Sequence, residues 1–231
     1  MRKKLQISTM LLVTLLLLLT TSACNKNDEG ESSIIKDGDG NVYTSVKIGT
    51  QVWLKPNLKT TKFNDGTTIP LVTGNADWNN LITPGYCWYS NDEATYKSDY
   101  GALYNWYAVG TGKLCPKGWH APTNDEIDIL VTFLGDYKTA GGKLKEQGLI
   151  HWNSPNEGAT DNYGFSFLPG GFRNYNGTFA EIRINGVWWN ITDRPTTNEG
   201  YMNILYKDDA VVADNISVSK KNGYSARCLK D

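Results

Sequence analysis

The most regular alternation of hydrophobic and polar positions begins just after residue 40. One set of alternate positions is Val42, Thr44, Val46 and Ile48, and the positions between them are Tyr43, Ser45 and Lys47. A turn-forming pair, Gly49-Thr50, then separates this run from a second short run, "QVWL" at 51–54. A period of two on either side of a glycine-containing turn predicts a β-hairpin.

Four segments near the end of the chain have the same character. They read "GVWWNIT", "YMNILYK", "AVVADNISV" and "YSARCLK", separated by Gly, Asn and Asp. Between the two groups, "TNDEIDILVTFLG" predicts a helix that starts with a capping box of Thr123 and Glu126 and ends at Gly135. A shorter helix is expected from about Thr139 to Leu144. Strands at both ends with helices between them predict an α+β fold with short antiparallel strands and two helices.

The first 36 residues follow a different pattern. Three basic residues open the chain, and an apolar run from Met10 to Leu19 precedes the small residues at 20–23. This order is typical of a secretory signal peptide, and the run is short for a transmembrane helix. The residues "TSAC" resemble a bacterial lipobox, which predicts cleavage after residue 23 and lipid attachment to Cys24. The polar segment that follows predicts a flexible tether, which we place at residues 24–36.

Lipidation would place the protein at a membrane. Each buried methylene of an acyl chain contributes about 0.8 kcal/mol, so two or three chains hold a protein firmly. The residues Lys26, Asp28 and Glu29 resemble the signal that sends Bacteroidetes lipoproteins to the outer face of the outer membrane, and a solvated linker is the alternative interpretation. We therefore expect a protein anchored in the outer membrane by its N-terminal lipid, and display on the outside of the cell follows only from the first of these two interpretations.

Charge argues against one class of partner. Residues 1–23 carry three of the 23 basic residues and none of the 24 acidic ones, so their removal leaves four more acidic than basic residues. Nucleic-acid binding requires a basic face that neutralises phosphates. We therefore expect no nucleic-acid partner.

Three cysteines remain besides Cys24, namely Cys87, Cys115 and Cys228. In an oxidising compartment an odd number predicts one disulfide and one thiol, and three pairings are open. We favour Cys115 with Cys228, because that bridge closes a loop of about 113 residues, worth about 4–5 kcal/mol in the chain-entropy account. Cys87 lies in an apolar run and is expected to be a buried thiol.

Motifs for metal, phosphate or acyl-transfer chemistry are incomplete. The "DGDGN" at 37–41 has the start of a calcium loop, but Val42 and Ile48 occupy the positions that need Gly and Glu. The "GTGK" at 110–113 lacks the hydroxyl residue of a phosphate loop, since Leu114 follows it. The chain has two histidines and no G-x-S-x-G elbow. No cofactor and no metal site is predicted.

Two adjacent tryptophans supply the main candidate for a binding surface. Trp188 and Trp189 lie in a predicted strand, where neighbouring side chains point to opposite faces. One ring is therefore expected in the core, and the other either forms a platform for a ligand or lies under a loop. With Arg173 and Asn190 as hydrogen-bonding groups, the outward ring would form a shallow ligand site.

Seven segments in order resemble the Fibrobacter succinogenes major paralogous domain family. They are "DGDGNVYTSVKIGTQVWLKPNL", "YGALYNWYAV", "CPKGWHAPTNDEIDIL", "AGGKLKE", "GFSFLPGGFRNYNGTF", "GVWWNIT" and "YSARCLKD". The resemblance covers residues 37–231. Ile127 and Lys55-Pro56 depart from residues that are common in the family. The resemblance implies a fold like that of C-type lectin domains and formylglycine-generating enzymes, and it supplies no activity by itself.

The motifs that give such relatives their chemistry are altered here. Calcium-dependent lectins use an E-P-N or Q-P-D loop followed by W-N-D, whereas this chain has "SPN" at 154–156 and "WNITD" at 189–193. The oxidase relatives use a cysteine pair near the end of their domain, where this chain has only Cys228. The leading interpretation is therefore a binding or adhesion module for a polysaccharide or a partner protein. An enzyme related to the formylglycine generators and a structural envelope protein without a small ligand are the alternatives.

The anchor is directly testable. Cys24→Ser should abolish labelling by a palmitate analogue, because the serine hydroxyl cannot replace the thiol as the lipid acceptor, and should leave the protein soluble or uncleaved. Labelling and membrane fractionation of the variant are compared with those of the wild type. A variant that is labelled and fractionates like the wild type would show that Cys24 is not the acceptor.

Overall fold

Short antiparallel strands form the framework of the protein. The computed structural model describes residues 34–192 and 198–231. The strands in these ranges are β1 (Ile35–Lys36), β2 (Val42–Tyr43), β3 (Ser45–Ile48), β4 (Gln51–Leu54), β5 (Tyr86–Cys87), β6 (Leu103–Tyr104), β7 (Trp119–His120), β8 (Gly170–Arg173), β9 (Phe179–Ile182), β10 (Asn185–Asn190), β11 (Glu199–Tyr206), β12 (Val212–Ser219) and β13 (Leu229–Lys230). The helices are α1 (Asn75–Asn80), α2 (Glu93–Tyr100), α3 (Trp106–Val109), α4 (Asn124–Leu134) and α5 (Tyr137–Leu144). The α+β class is confirmed.

Two sheets contain most of the regular pairing. One has the order β3-β4-β13-β7 and the other the order β10-β11-β12, while β1-β2, β5-β6 and β8-β9 are separate pairs. The predicted hairpin is β3-β4, in register from Ser45 opposite Leu54 to Ile48 opposite Gln51. Its turn uses Gly49 at φ 61°, a conformation that glycine adopts at little cost. Residues far apart in the chain meet in the first sheet, because β13 lies between β4 and β7.

The two predicted helices are present. In α4 the Thr123 side chain and Glu126 form the reciprocal capping box, and the apolar face Ile127, Leu130, Val131 and Leu134 is buried. The second helix starts before Thr139, because the Asp136 carboxylate accepts hydrogen bonds from the backbone N–H groups of Lys138 and Thr139 and so caps α5. The helices α1, α2 and α3 were not predicted. They are short, and α2 buries only Tyr100, so it lacks the apolar stripe that a helix prediction needs.

The predicted disulfide is confirmed. Cys115 is joined to Cys228, with Cα atoms 6.0 Å apart. Cys228 immediately precedes β13, whose Leu229 pairs with Trp53 on one side and His120 on the other. The bridge therefore fastens the chain next to the strand that closes the four-stranded sheet.

Strand β10 is buried on both faces. Trp188 is 1% exposed and packs on Phe167, with ring centroids 4.7 Å apart. Trp189 is fully buried in a different cluster, and its indole N–H donates to the Tyr104 carbonyl at 2.7 Å. The alternation of the two rings is as expected, and of the two alternatives for the outward ring the exposed ligand platform is wrong, because both rings are buried. Each face of the strand is covered by its own hydrophobic cluster.

The boundary of the tether also needs correction. Ile35–Lys36 was assigned to the tether, but it forms β1 and pairs with Val42–Tyr43. Asp37 causes this, because its carboxylate accepts the backbone N–H groups of Asp39 and Asn41 and thus closes the turn between the two strands. The predicted signal peptide and Cys24 lie outside the described residues. No helix in the described ranges has the length and apolar composition to cross a bilayer.

Three buried cations hold loops together. The Lys145 ammonium donates to the backbone carbonyls of Glu157, Tyr206 and Asp209 at 2.7–2.8 Å. The Arg227 guanidinium and its Nε donate to Leu54 O, Phe165 O, Ser166 O and Asn57 Oδ1. The Arg173 guanidinium and its Nε donate to Val72 O, Thr73 O, Gly177 O and Asn75 Oδ1. Aromatic faces lie against each of them, and no carboxylate in the described part of the chain is within ion-pair distance.

The burial of both tryptophans gives a stability prediction. Trp188→Ala and Trp189→Ala should each lower the free energy of unfolding by about 3–5 kcal/mol, because each leaves a large cavity in a packed cluster. Tyr175→Ala, at a ring that is 54% exposed, should change it by less than about 0.5 kcal/mol and serves as the control. Chemical denaturation measures all three. A tryptophan variant as stable as the control would mean that the ring is not in the core.

Candidate functional site

The four residues predicted to bind a ligand do not form an exposed site. Trp188, Trp189, Arg173 and Asn190 are all at most 1% exposed. The Arg173 guanidinium donates hydrogen bonds to loop carbonyls and to the Asn75 side chain. It lies between the rings of Trp78 and Phe179. These side chains hold the core and loops together, so the surface that could bind a ligand lies elsewhere.

A polar cleft is the first candidate for a binding site in the described part of the chain. It encloses about 320 Å³ and is mostly surrounded by loop residues and helix ends. Its lining is Thr44, Lys55, Pro56, Asn57, Ser98, Asp99, Glu146, Ser166, Leu168 and Arg227. These residues come from the residue before β3, the segment after β4, the end of α2, the segment after α5, the loop before β8 and the residues before β13. We refer to this set as the polar cleft.

An imidazole lies between two carboxylates that line the polar cleft, Asp99 and Glu146. His151 Nδ1 is 2.9 Å from both carboxylate oxygens of Glu146, and His151 Nε2 is 3.7 Å from Asp99 Oδ2. The ring of Tyr100 meets the His151 ring edge to face, with centroids 5.7 Å apart. Asp99 keeps half of its side chain exposed, whereas Glu146 is about one-fifth exposed. The outer carboxylate is therefore the one that a ligand can reach.

The floor and the opposite wall carry positive charge. Arg227 is 1% exposed, and burial lowers the pKa of its guanidinium to about 9, so it stays charged at neutral pH. Its hydrogen-bonding capacity is used by Leu54, Phe165 and neighbouring groups. Lys55 is different, because its ammonium has no hydrogen-bond or ion-pair partner among the described residues. The polar cleft thus offers one free cation and one accessible anion.

The hydroxyl groups of the polar cleft are not arranged for nucleophilic catalysis. Ser98 donates to Asp99 at 2.9 Å, and Ser166 donates to Asp161 at 2.6 Å. Neither hydroxyl is hydrogen-bonded to His151, which is bound to carboxylates on both sides. A serine–histidine nucleophile needs the hydroxyl and the imidazole within hydrogen-bond reach of each other, and the lining of this cleft contains no such pair among the described residues. The groups are arranged to donate and accept hydrogen bonds.

Thiol and metal chemistry are also constrained. Cys87 is fully buried, and burial raises the pKa of its thiol to about 12. The "DGDGN" segment forms a turn in which Asp37 is bound by Asn41 and by the Tyr43 hydroxyl. Across residues 34–192 and 198–231 no three His, Cys, Asp or Glu side chains are grouped to hold a metal ion.

Sequence reasoning missed the polar cleft because no local pattern marks it. Lys55, Asp99 and Glu146 are separated by more than 40 residues each and meet only through the folding of loops. The one local feature of the sequence that pointed to this cleft was Lys55-Pro56, which departs from the residues common in the family that the chain resembles. That departure places an unpaired lysine in the cleft wall.

Comparison with known proteins identifies the family. A sequence model of the Fibrobacter succinogenes major domain matches residues 46–230. Searches among curated proteins and among solved structures found no match. The matched range covers most of the chain, including both sheets except Ser45 and every residue that lines the polar cleft except Thr44. The chain therefore belongs to the Fibrobacter succinogenes major domain family.

Proposed function

We propose that the protein is a lipid-anchored, surface-displayed binding module and that its polar cleft holds a saccharide. The observation that carries the proposal is the pairing of an unpartnered ammonium, Lys55, with an accessible carboxylate, Asp99, in one cleft. A sugar hydroxyl both donates and accepts hydrogen bonds, so a carboxylate acceptor beside an ammonium donor matches it. The hydroxyls of Thr44 and Ser98 add further donors and acceptors.

The rigidity of the polar cleft supports a binding role. Arg227 lies beneath it and is fixed by carbonyls at the end of β4 and in the loop before β8, and Glu146 is fixed by His151. A preformed site loses little conformational entropy when a ligand binds. Loops positioned by a rigid scaffold commonly carry binding residues.

The location and the finer fold belong to the same proposal. Cys24 would carry the lipid, and the outer membrane, facing the outside of the cell, would be the site of display. The support is the order of charged, apolar and small residues before Cys24. The fold would be of the C-type lectin-like kind, supported by short antiparallel strands at both ends of the domain with helices between them.

An enzyme of the formylglycine-generating kind is less well supported. Such chemistry needs a reactive thiolate, and thiolates form where the pKa of the thiol is low. Here Cys228 is in a disulfide and Cys87 is buried with a raised pKa. A purely structural role would leave the unpaired Lys55 in the polar cleft without an explanation.

The saccharide proposal predicts loss of binding from two single changes. The full chain in detergent is tested against a panel of glucans, mannans and xylans on an array and in pull-downs. Lys55→Met and Asp99→Asn should each weaken binding roughly 10- to 100-fold, because each removes a charge-assisted hydrogen bond. Lys36→Met, at an exposed lysine on β1, should bind like the wild type. Equal binding by all the variants would place the ligand site outside the polar cleft.

The burial of Cys87 predicts an inert thiol. Iodoacetamide at neutral pH should leave the native protein unmodified and should alkylate Cys87 only after unfolding, as measured by intact mass. Cys87→Ser, unfolded under the same non-reducing conditions, controls for labelling at any other cysteine. Rapid alkylation of the native protein, or recovery of Cys87 in a disulfide, would contradict the assignment and would favour thiol chemistry.

A further inference from the structure

An aromatic patch lies at the turn of the β3-β4 hairpin. It is a cavity of about 560 Å³ between Ile48, Gly49 and Thr50 of the turn and Ile129, Thr132 and Phe133 of α4. Ile129 and Phe133 are both 50% exposed, although they lie on a helix whose other face is packed in the core. The Phe133 ring lies directly on Gly49, where a β-carbon would come within 2.8 Å of it. The hairpin turn therefore holds this ring in a fixed, solvent-facing position.

A second ring extends the patch. Tyr163 is 37% exposed, and its ring centroid is 5.6 Å from that of Phe133. The next residue is Gly164, where an added β-carbon would be 3.6 Å from Lys55 Nζ. Lys55 belongs to the polar cleft. Tyr163 and Gly164 thus connect the ring of Phe133 to Lys55 of the cleft.

The length of the β3-β4 hairpin sets the distance between the polar cleft and the aromatic patch. Its open end lies at the cleft, where the Lys55 N–H donates to the Thr44 carbonyl at 3.0 Å, and its turn lies at the aromatic patch. The five residue-to-residue steps from Thr44 to Gly49 span about 17 Å in an extended strand. A ligand that reaches both ends must be longer than one sugar ring.

The polar groups around the two rings indicate what kind of ligand fits. Thr50 and Thr132 are exposed at the rim, and their hydroxyls have no hydrogen-bond partner among the described side chains. Asp128 accepts the Tyr137 hydroxyl with one carboxylate oxygen and keeps the other available. Aromatic faces surrounded by a few hydroxyl and carboxylate groups suit a ring with an apolar face and a polar edge, such as a pyranose.

We propose that the polar cleft and the aromatic patch are the two ends of one elongated site for an oligosaccharide chain. The cleft binds one sugar through hydrogen bonds to Lys55 and Asp99, and a sugar further along the same chain stacks on Phe133 and Tyr163. This inference rests on the saccharide function proposed above. It adds that the protein selects polymers over single sugars.

The test compares binding of short and long ligands by the same variants. The full chain in detergent is titrated calorimetrically with glucan, mannan and xylan oligosaccharides graded from dimer to hexamer. For the series that binds, the wild-type affinity should rise with length. Phe133→Ala should weaken hexamer binding about tenfold and leave dimer binding unchanged, because only the long ligand reaches the patch. Phe133→Tyr keeps an aromatic face and should retain the wild-type affinity.

Two controls separate the possible outcomes. Tyr175→Ala removes an exposed ring of the β8-β9 turn and should not change affinity for any length. If Phe133→Ala binds hexamers like the wild type while Asp99→Asn does not, the elongated site is wrong and the saccharide function stands. If the wild-type protein binds none of these oligosaccharides but captures a protein through Phe133, both proposals are wrong.

Discussion

Buried cations bound by backbone carbonyls are the constraint on which the rest of the structure depends. Lys145, Arg173 and Arg227 are each at most 1% exposed, and their hydrogen-bond acceptors are main-chain carbonyls with one asparagine oxygen for each arginine. A buried charge is costly unless its hydrogen bonds are satisfied. The carbonyls would be equally costly without donors, because they are buried in loops or at strand ends such as Leu54 and Tyr206. Each cation and its loops therefore stabilise one another, and neither can be removed alone.

This arrangement explains how a chain with so little regular structure forms a defined cleft. Most strands outside β10, β11 and β12 have two to four residues, too few to fix long connections by themselves. Arg227 joins the end of β4 to the loop at Phe165 and Ser166, and the disulfide holds the next residue, Cys228, to Cys115. The floor of the polar cleft is therefore fixed from two directions. The residues of its walls can remain polar and accessible because the Arg227 hydrogen bonds and the disulfide beneath them stabilise the cleft.

The sequence predicted the elements whose signals are local. The helix at Asn124–Leu134 has both a capping box and an apolar stripe, and the β3-β4 hairpin has alternation with a glycine turn. The cysteine pairing followed from loop length. Whether the outward tryptophan of β10 formed an exposed platform or lay under a loop could not be predicted, because alternation tells which residues share a face but not what covers each face. Arg173 was predicted to contact a ligand because no feature of the neighbouring sequence distinguishes a guanidinium that binds a ligand from one that binds loop carbonyls. The polar cleft combines residues from separate loops, which no periodicity can bring together.

The most direct test of the account compares two arginines that bind carbonyls in different surroundings. Arg227 is buried, whereas Arg183 donates to the carbonyls of Leu149 and Ile150 at the surface, where water can replace it. The measurement is the free energy of unfolding of Arg227→Met and Arg183→Met by chemical denaturation. The account predicts a loss of at least about 3 kcal/mol for Arg227→Met, because several buried acceptors lose their donor, and about 1 kcal/mol or less for Arg183→Met. Similar small losses for both variants would contradict the claim that buried cations hold the loops together.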